Sequence, residues 1–318
     1  MEPSARTRPA AEVPIDVRLV RRLVAAQFPQ WKNLAIEPVE SAGWDNTIFR
    51  LGTDLAVRLP HRRVAAAHVH HEHYWLPVLA RHLPLAVSVP VGQGVPGDGY
   101  PWNWTVCPWL QGELATLAPV SDMGRAAVRL ARFVAAMQAT ESAGGPVHEF
   151  RGASLAAHDH STRASAAVLR DSLDIGPVLA VWEAAIAAPT CTAQPVWMHG
   201  DLHPANLLVD DGELSAVIDF GLLGVGDPAC DLMVAWTYLA ADSRDVFRRA
   251  LAVDDATWCR GRGWALQFGL RAAAYSADNP VLGEIGRHTL SEVLADVEQA
   301  SSRAAQPGGS RAPQACDA

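Results

Sequence analysis

The stretch "VWMHGDLHPANLLVDDGELSAVIDFGLLGVGDPACDL" occupies residues 196–232 and places many acidic and imidazole side chains between short apolar runs. The run "PVWM" predicts a buried strand that stops at His199-Gly200-Asp201. The run "NLLVDDGELSAVI" predicts a hairpin of two strands, 206–209 and 214–218, joined by an Asp-Asp-Gly turn. Metal binding, hydrolysis and phosphoryl transfer are the candidate chemistries for such a stretch.

Closing this hairpin returns Asp219 to the neighbourhood of Asp201 and Asn206. Carboxylate and amide oxygens are hard ligands, which suit Mg²⁺ better than Zn²⁺. Phosphoryl transfer uses such a set, with one carboxylate for the hydroxyl proton and two oxygen ligands for the metal. Asp and Asn also fill turns without any function, and we interpret three further carboxylates in this way. These are Asp210, Asp211 and Asp227.

The rest of the chain divides into a strand-rich part up to about residue 110 and a mainly helical part after it. Pro, Ala, Ser and Gly dominate residues 1–13 and 301–318, which we expect to be disordered tails. The patterns predict strands over 36–40, 47–51, 55–59, 87–91 and 104–109, and helices over 15–28, 64–76 (ending at Pro77), 121–140 (capped by Ser121), 154–188 and 228–300.

Composition limits the function further. The 318 residues are 49% hydrophobic and 19% charged, which is typical of a globular protein. A net charge of −8 argues against general nucleic-acid binding and suits a cationic substrate. The five cysteines form no CxxC pair, and no run is typical of a signal peptide or a membrane span. We therefore expect a cytoplasmic protein that binds neither nucleic acid nor membrane and is a monomer or dimer.

The motif series "HGDLHPANLLV…VIDFG…GDPACDL" resembles the aminoglycoside phosphotransferase family, distant relatives of the protein kinases, over roughly residues 30–300. The resemblance implies an α+β, bilobal protein-kinase-like fold with a small antiparallel β N-lobe and a larger helical C-lobe. Residues 14–110 would form the nucleotide-binding N-lobe. Residues 111–300 would form the C-lobe with the catalytic loop and the substrate cleft.

The resemblance also assigns roles by position. Asp201 would be the catalytic base, and Asn206 and Asp219 the Mg²⁺ ligands. His199 would brace the catalytic loop, and Asp231 would accept backbone N–H bonds from it.

A kinase-like N-lobe needs a strand cation on the phosphates and a helix carboxylate that holds the cation. Kinases use lysine, but the single lysine, Lys32, precedes the first strand. Arg58 in "LAVRLP" stands at the required position, and a guanidinium can make two bonds to phosphate. Glu72 in "HEHYWLP" would be its partner. The alternative is a surface arginine at a strand end.

Two further segments are expected to touch the nucleotide, ATP or GTP. "SAGWDNTIFRLG" holds the phosphate-loop position, where Ser41 and Asn46 would add hydrogen bonds. "WTVCPWLQGE" holds the hinge position, where the purine base would bond to backbone atoms near Cys107 and Trp109.

The run "HVHHEH", residues 68–73, offers a competing interpretation. On a helix His68, His71 and Glu72 share one face, and His70 and His73 share another. Zinc could bind such a cluster, but no HExxH motif is present, and a solvated helix face is the alternative.

The sequence therefore predicts an Mg²⁺-dependent transfer of a nucleotide γ-phosphate to a hydroxyl of a small molecule. An aminoglycoside or a related antibiotic is the expected acceptor, which would make this an antibiotic-resistance enzyme. The alternatives are a metabolite kinase of the choline, homoserine or sugar type, and a nucleotide-binding pseudoenzyme. Residues 141–190 and the C-terminal helices would wall the acceptor cleft. Four carboxylates there could meet ammonium groups: Asp159, Asp174, Glu183 and Asp278.

Overall fold

The structure is a computed structural model that describes residues 11–39, 43, 45–192, 194–274 and 277–305. Its strands are β1 (Ile36–Val39), β2 (Asn46–Leu51), β3 (Leu55–Pro60), β4 (Ala86–Val87), β5 (Gly92–Gly94), β6 (Trp104–Pro108), β7 (Glu113–Leu114), β8 (Val196–Met198), β9 (Leu207–Asp210), β10 (Glu213–Val217) and β11 (Gly224–Gly226). Its helices are α1 (Val17–Gln27), α2 (Arg63–Ala66), α3 (Val69–Leu79), α4 (Met123–Ala139), α5 (Asp159–Val168), α6 (Ile175–Ala187), α7 (Val234–Thr237), α8 (Ala241–Leu251), α9 (Asp255–Ala274) and α10 (Pro280–Ala305).

The N-lobe is a five-stranded antiparallel sheet in the order β1-β2-β3-β6-β5. Helix α1 begins where the Asp16 carboxylate accepts the N–H of Leu19 at 2.7 Å. Its buried face, which includes Val20 and Val24, joins the sheet in one hydrophobic core. Trp104 lies in this core, with its ring edge-on to Phe28.

The C-lobe has a separate and larger core, built mainly from α4, α6, α9 and α10. The two longest helices, α9 and α10, pack against each other so closely that only glycine fits at the contact. A Cβ added to Gly286 would lie 2.5 Å from the backbone nitrogen of Ala273. The two cores confirm the expected α+β arrangement of two lobes.

The predicted hairpin is β9–β10, and its turn has the expected chemistry. Asp211 and Gly212 have φ of 50° and 73°, the paired positive values of a type I′ turn. Strands β4 and β7, from the segments on either side of the hinge, pair with the two edges of the hairpin. The hairpin is therefore fixed to the hinge.

Several sequence predictions of element boundaries were wrong. The strand predicted over 87–91 is reduced to β4, which ends at Val87, because Pro90 cannot donate a hydrogen bond to a sheet. Pro77 lies inside α3 instead of ending it, because Leu76 and Leu79 are buried and packing outweighs the hydrogen bond that proline cannot donate. Helix α4 is capped by Asp122 and not by Ser121. Helix α10 continues through 301–305, since alanine-rich sequence favours helix. Residues 1–10 and 306–318 of the expected tails lie outside the described residues.

None of the helices in the described part of the chain has the length and hydrophobicity that crossing a bilayer requires.

Candidate active site

The loop between β8 and β9 is held by a buried carboxylate. Asp231 accepts the N–H of His199 at 2.7 Å with one oxygen and the N–H of Gly200 at 2.8 Å with the other. Burial raises the pKa of Asp231, while the nearby His199 and the two N–H bonds oppose that rise. Gly200 adopts a φ of 82°, and a Cβ there would lie 2.7 Å from the carbonyl oxygen of Leu222. The HGD turn therefore requires glycine at this position.

His199 links this loop to the end of the hairpin. Its Nδ1 accepts the N–H of Asp201 at 3.1 Å, which places the proton on Nε2. Nε2 then donates to the carbonyl oxygen of Ile218 at 3.0 Å. The ring packs against Phe220 and is fully buried. These contacts suit a brace and give His199 no access to a substrate.

Asp201 lies at the centre of the site, and three side chains surround its carboxylate. His203 Nε2 lies 3.3 Å from Oδ2, and Asn206 Nδ2 donates to the same oxygen at 3.3 Å. The guanidinium of Arg151 lies 3.6 Å from Oδ1. Burial acts to raise the pKa of Asp201, but His203 and the arginines Arg151 and Arg271 outweigh it and hold this pKa below its ordinary range. Asp201 is therefore ionised.

Asn206 and Asp219 meet at the mouth of the hairpin. The Asn206 amide nitrogen donates to the carbonyl oxygen of Asp201 at 2.9 Å, which leaves its Oδ1 as an acceptor. Its backbone oxygen accepts the N–H of Ile218 at 3.0 Å, so the two ends of the hairpin are tied together. Asp219 follows with a φ of 62°, which turns the chain sharply after β10. One amide oxygen and one carboxylate form a donor set that fits Mg²⁺, an ion that usually completes its shell with phosphates and water.

Arg58 connects the N-lobe to this mouth. Its Nη1 donates to Glu72 at 2.6 Å and its Nη2 donates to Asp219 at 2.6 Å. The Arg58 side chain is only 10% exposed, and that of Glu72 only 7%. Burial acts to lower the pKa of Arg58, but the two carboxylates outweigh it and raise this pKa. Arg58 is thus a fixed cation between the helix carboxylate and the candidate metal ligand, and not a surface arginine.

A cleft of about 590 Å³ runs between the lobes, and six of these side chains line it: Arg58, Glu72, Asp201, His203, Asn206 and Asp219. Asn46, Cys107 and Trp109 line the end of the cleft under the sheet, where the nucleotide was expected. The N–H of Trp109 is bonded to the carbonyl oxygen of Asp54 at 2.8 Å, so it is not aimed at a base. Burial raises the pKa of the Cys107 thiol to about 11, which keeps it uncharged. Ser41 lies outside the described residues.

The end of the cleft beyond Asp201, where the acceptor was expected, is largely apolar. Phe268 stacks on His203 with ring centroids 5.0 Å apart. Arg271 lies over the ring of Phe150. Helices α9 and α10, the turn after the hairpin and a single short segment of 141–190 supply this wall: His148, Glu149, Phe150, Leu222, Phe268, Arg271, Ala272 and Leu282.

Three of the four carboxylates expected at this wall are engaged elsewhere. Asp159 accepts from Trp182 at 2.7 Å and from Arg163 at 2.8 Å, and Glu183 also pairs with Arg163. Asp174 caps α6 by accepting the N–H of Gly176. Asp278 is not among the residues that line the described cleft. None of the four lines the described cleft, so the expectation that these acids face the acceptor was wrong. The packing of α5 against α6 directs Asp159 and Glu183 to Arg163, and Asp174 bonds to its own helix backbone.

The histidine run on α3 does not form the zinc site considered as an alternative. Within the described ranges, no three His, Cys, Asp or Glu side chains converge closely enough to hold a metal ion. His68 stacks on His148 with centroids 4.4 Å apart, and His73 bonds to the Thr105 hydroxyl at 2.8 Å. The run instead packs α3 against the C-lobe and the sheet.

Sequence reasoning missed several residues of this site. The motif series gives no role to His203, although its place two residues after Asp201 was a usable signal. No sequence signal pointed to Arg151 or Arg271. All Lys and Arg positions except Lys32 are arginine, and no spacing distinguishes these two from the others.

The comparisons with known proteins agree with this geometry. Residues 6–266 match the sequence model of the phosphotransferase enzyme family. No curated protein matches the chain at a significant level.

Solved structures of known phosphotransferases share the fold, which confirms the kinase-like bilobal architecture. The GDP complex of aminoglycoside 2'-phosphotransferase-IIIa superposes with a TM-score of 0.67 at 18% identity, covering 89% of this chain and 100% of that one. The GDP and kanamycin complex of APH(2")-IIia gives 0.67 at 19% identity, covering 87% and 98%. Macrolide 2'-phosphotransferase MphH from Brachybacterium faecium gives 0.56 at 25% identity, covering 94% and 100%.

Proposed function

Because this chain belongs to the phosphotransferase enzyme family, we propose that it transfers the γ-phosphoryl group of ATP or GTP to a hydroxyl of an antibiotic. The enzyme class is that of phosphotransferases with an alcohol group as acceptor. The observation that supports the reaction best is the convergence of Asp201, Asn206 and Asp219 opposite the Arg58–Glu72 pair in one cleft.

Each residue has a role that its contacts support. Asp201, ionised and held by His203 and Asn206, accepts the proton of the acceptor hydroxyl as that oxygen attacks the γ-phosphorus. Arg58 binds the nucleotide phosphates while Glu72 fixes its guanidinium.

Asn206 and Asp219 would hold Mg²⁺, which neutralises charge on the transferring phosphoryl group when bound. In this arrangement one oxygen of the Asp219 carboxylate accepts from Arg58, and the other would bind the metal ion.

The acceptor wall favours a macrolide over an aminoglycoside. An aminoglycoside carries several ammonium groups, which need several carboxylates, whereas Glu149 is the one carboxylate among the wall residues named above. Asp45 also lines the cleft, but it is paired with Arg62 at 3.4 Å. The wall also presents the guanidinium of Arg271 beside apolar groups such as Phe268 and Leu282. The 25% identity to a macrolide 2'-phosphotransferase agrees with this choice.

The aminoglycoside remains the second candidate for a specific reason. Structural neighbours of this fold are solved with kanamycin and with gentamicin. Glu149 lies 3.9 Å from His68 Nε2, but its side chain is 72% exposed at the cleft and is accessible to one ammonium group of such a substrate.

The test is turnover of the full chain with ATP or GTP and Mg²⁺ against macrolides, kanamycin and gentamicin. The readouts are release of nucleoside diphosphate and the mass of the phosphorylated acceptor. Asp201→Asn is the control: it should bind nucleotide as the parent does and lose at least ~10²-fold in turnover, the effect of removing a general base. Nucleotide binding without turnover of any of these antibiotics would contradict the proposal and leave the metabolite kinase and the pseudoenzyme.

A further inference from the structure

Behind the catalytic carboxylate, outside the cleft, lies the side chain of Arg151. It is completely buried in the structure. Its backbone N–H donates to Nδ1 of His148 at 3.2 Å, which fixes the chain at the edge of the acceptor wall. The reaction proposed above assigns it no role.

The surroundings of this guanidinium are poor in acceptors. Nη1 donates to the side-chain oxygen of Gln267 at 3.3 Å, and the rings of Phe150 and Trp264 lie 5.2 and 5.4 Å from Cζ. Nε and Nη2 have no hydrogen-bond partner among the described residues. A buried cation in such surroundings is costly unless a carboxylate offsets its charge.

Two carboxylates in or next to the catalytic loop, Asp201 and Asp231, could offset this charge among the described residues. Asp231 already accepts a backbone N–H with each of its oxygens, from His199 and from Gly200. Asp201 Oδ1, in contrast, lies 3.6 Å from Arg151 Nη2, while its other oxygen faces His203 and Asn206. The charge of Arg151 is therefore directed at Asp201.

We propose that Arg151 is a positioning residue that fixes the Asp201 carboxylate from behind, at the oxygen that His203 and Asn206 do not hold. Its Nη2 hydrogen closes the remaining gap to Oδ1 when nucleotide and acceptor fill the cleft, since catalytic hydrogen bonds tighten in the reacting complex. This inference rests on the proposed function, because Asp201 acts as the base only there.

The kinetic test compares Arg151→Gln with the parent and in the Asp201→Asn background. A misplaced base should lower kcat by about 10- to 100-fold and leave both KM values within about twofold. In the Asp201→Asn enzyme the same change should lower the residual kcat by less than about twofold, because no base remains to be positioned. Arg151→Lys keeps the charge and should restore part of the rate.

Arg244→Gln is the matched control, because Arg244 is also a buried arginine, but it bonds to Glu292 and to the backbone of Ala235, away from the cleft. Whatever effect it has on kcat should be the same in the parent and in the Asp201→Asn background, as expected of a structural arginine. Equal losses from Arg151→Gln in both backgrounds, or a loss confined to KM, would overturn the proposal.

A second measurement separates this proposal from the proposed function. Thermal unfolding of the parent, the two single variants and the double variant needs no substrate. It should show that Arg151→Gln lowers the midpoint less in the Asp201→Asn background, since the attraction is already lost. If this coupling is present but no acceptor is turned over, the interaction between Arg151 and Asp201 is supported and the proposed reaction is contradicted. Additive shifts in the midpoint would show that the pair is not coupled, whichever substrate the enzyme uses. If Arg151→Gln does not fold, Arg151→Met in both backgrounds gives the same comparison, because it also removes the charge and fills the buried space with an apolar side chain.

Discussion

Arg58 is the residue at which the sequence departs from the usual kinase lysine, and its contacts support the proposal that an arginine takes that role. One nitrogen is bonded to Glu72 and the other to Asp219, each at 2.6 Å. A lysine ammonium at the end of a shorter chain cannot reproduce this two-pronged contact. The guanidinium thus links the N-lobe helix, the sheet and the candidate metal ligand.

Removing this cation should weaken nucleotide binding and turnover together. Loss of a charge-assisted contact of ~1.5–3 kcal/mol corresponds to roughly 10- to 150-fold in kcat/KM for the nucleotide. Arg58→Ala should show this loss by calorimetry and diphosphate release, and Arg58→Lys should recover part of it. Arg129→Ala, which removes a surface partner of Glu213, is the control and should change neither quantity. An undiminished kcat/KM in Arg58→Ala would show that Arg58 does not act on the nucleotide.

Asp219 is the residue on which the metal requirement should depend. Asp219→Asn removes the negative charge from the two-oxygen donor set that it forms with Asn206. The Mg²⁺ concentration that gives half-maximal activity should therefore rise, and saturating Mg²⁺ should restore part of the rate. Asp227→Asn is a suitable comparison, because Asp227 pairs with Arg260 instead of facing the cleft. An unchanged Mg²⁺ titration in Asp219→Asn would mean that Asp219 only turns the chain after β10.

Among the elements, α3 and the residue before it contact the C-lobe through a cluster of imidazoles from the run "HVHHEH". His68 and His71 of this helix lie against each other, and His68 stacks on His148. Burial lowers the pKa of His71 and of His148 to about 4 and also lowers the pKa of His68, with Glu149 opposing the last shift. Neighbouring imidazoles and Arg151 contribute to the lowering. The contact therefore requires neutral rings.

The stability of the protein should fall with pH as a consequence of these imidazoles. Below the ordinary histidine pKa of 6.5, these imidazoles bind protons in the unfolded chain but stay neutral in the folded protein. The free energy of unfolding therefore decreases from about pH 6.5 toward about pH 4. The thermal midpoint should accordingly decrease between pH ~7.5 and pH ~5.5. The double variant His68→Gln/His71→Gln should flatten this decrease, whereas His288→Gln, at an exposed histidine of α10, should leave its slope unchanged. If the thermal midpoint depends on pH equally in the two variants, the imidazole cluster is not the cause of the decrease.

The contact between α9 and α10 gives a second prediction at the scale of elements. Gly286→Ala would place a methyl group 2.5 Å from the backbone nitrogen of Ala273 and 2.8 Å from the carbonyl oxygen of Gly269. The helices must separate, and we expect a loss of ~1–3 kcal/mol in the free energy of unfolding by denaturant titration. Gly176→Ala, whose new methyl group would have only an ordinary contact at 3.4 Å, should be neutral or slightly stabilising. A neutral Gly286→Ala would mean that the helix contact is loose.

The elements also show which parts of this protein its sequence could predict. The catalytic hairpin was predictable because its turn chemistry is local: Asp211-Gly212 takes the positive φ pair that this dipeptide favours. Pro77 misled the helix boundary because burial of its neighbours, a tertiary effect, outweighs a local preference. The direction of Asp159 and Glu183 was not predictable either, since their partner Arg163 is set by how α5 meets α6. Arg151 reaches Asp201 across 50 residues of chain, and no local pattern records such a contact.

On the scale of the whole molecule, the cleft lies between the two lobes, and residues of both lobes line it. The sheet of the N-lobe supplies the upper wall through residues such as Ile48 and Ala56. The hairpin supplies the lower wall through Leu208 and Ile218. A nucleotide bound as proposed would contact both lobes at once, with its phosphates at the polar link between them, Arg58 to Asp219.

Nucleotide with Mg²⁺ should therefore stabilise the whole chain and not one lobe. A ligand that binds only the folded state at about 100 times its Kd adds ~2.7 kcal/mol to the free energy of unfolding. For a chain of this size each kcal/mol raises the thermal midpoint by roughly 2–4 °C, so an increase of about 5–10 °C is expected with ADP and Mg²⁺. Asp201→Asn should keep this increase because Asp201 meets the acceptor, whereas Arg58→Ala should lose most of it at the same nucleotide concentration. A midpoint that does not respond to nucleotide in the parent protein, or an increase that Arg58→Ala retains in full, would show that the phosphates bind somewhere other than the mouth formed by Arg58, Asn206 and Asp219.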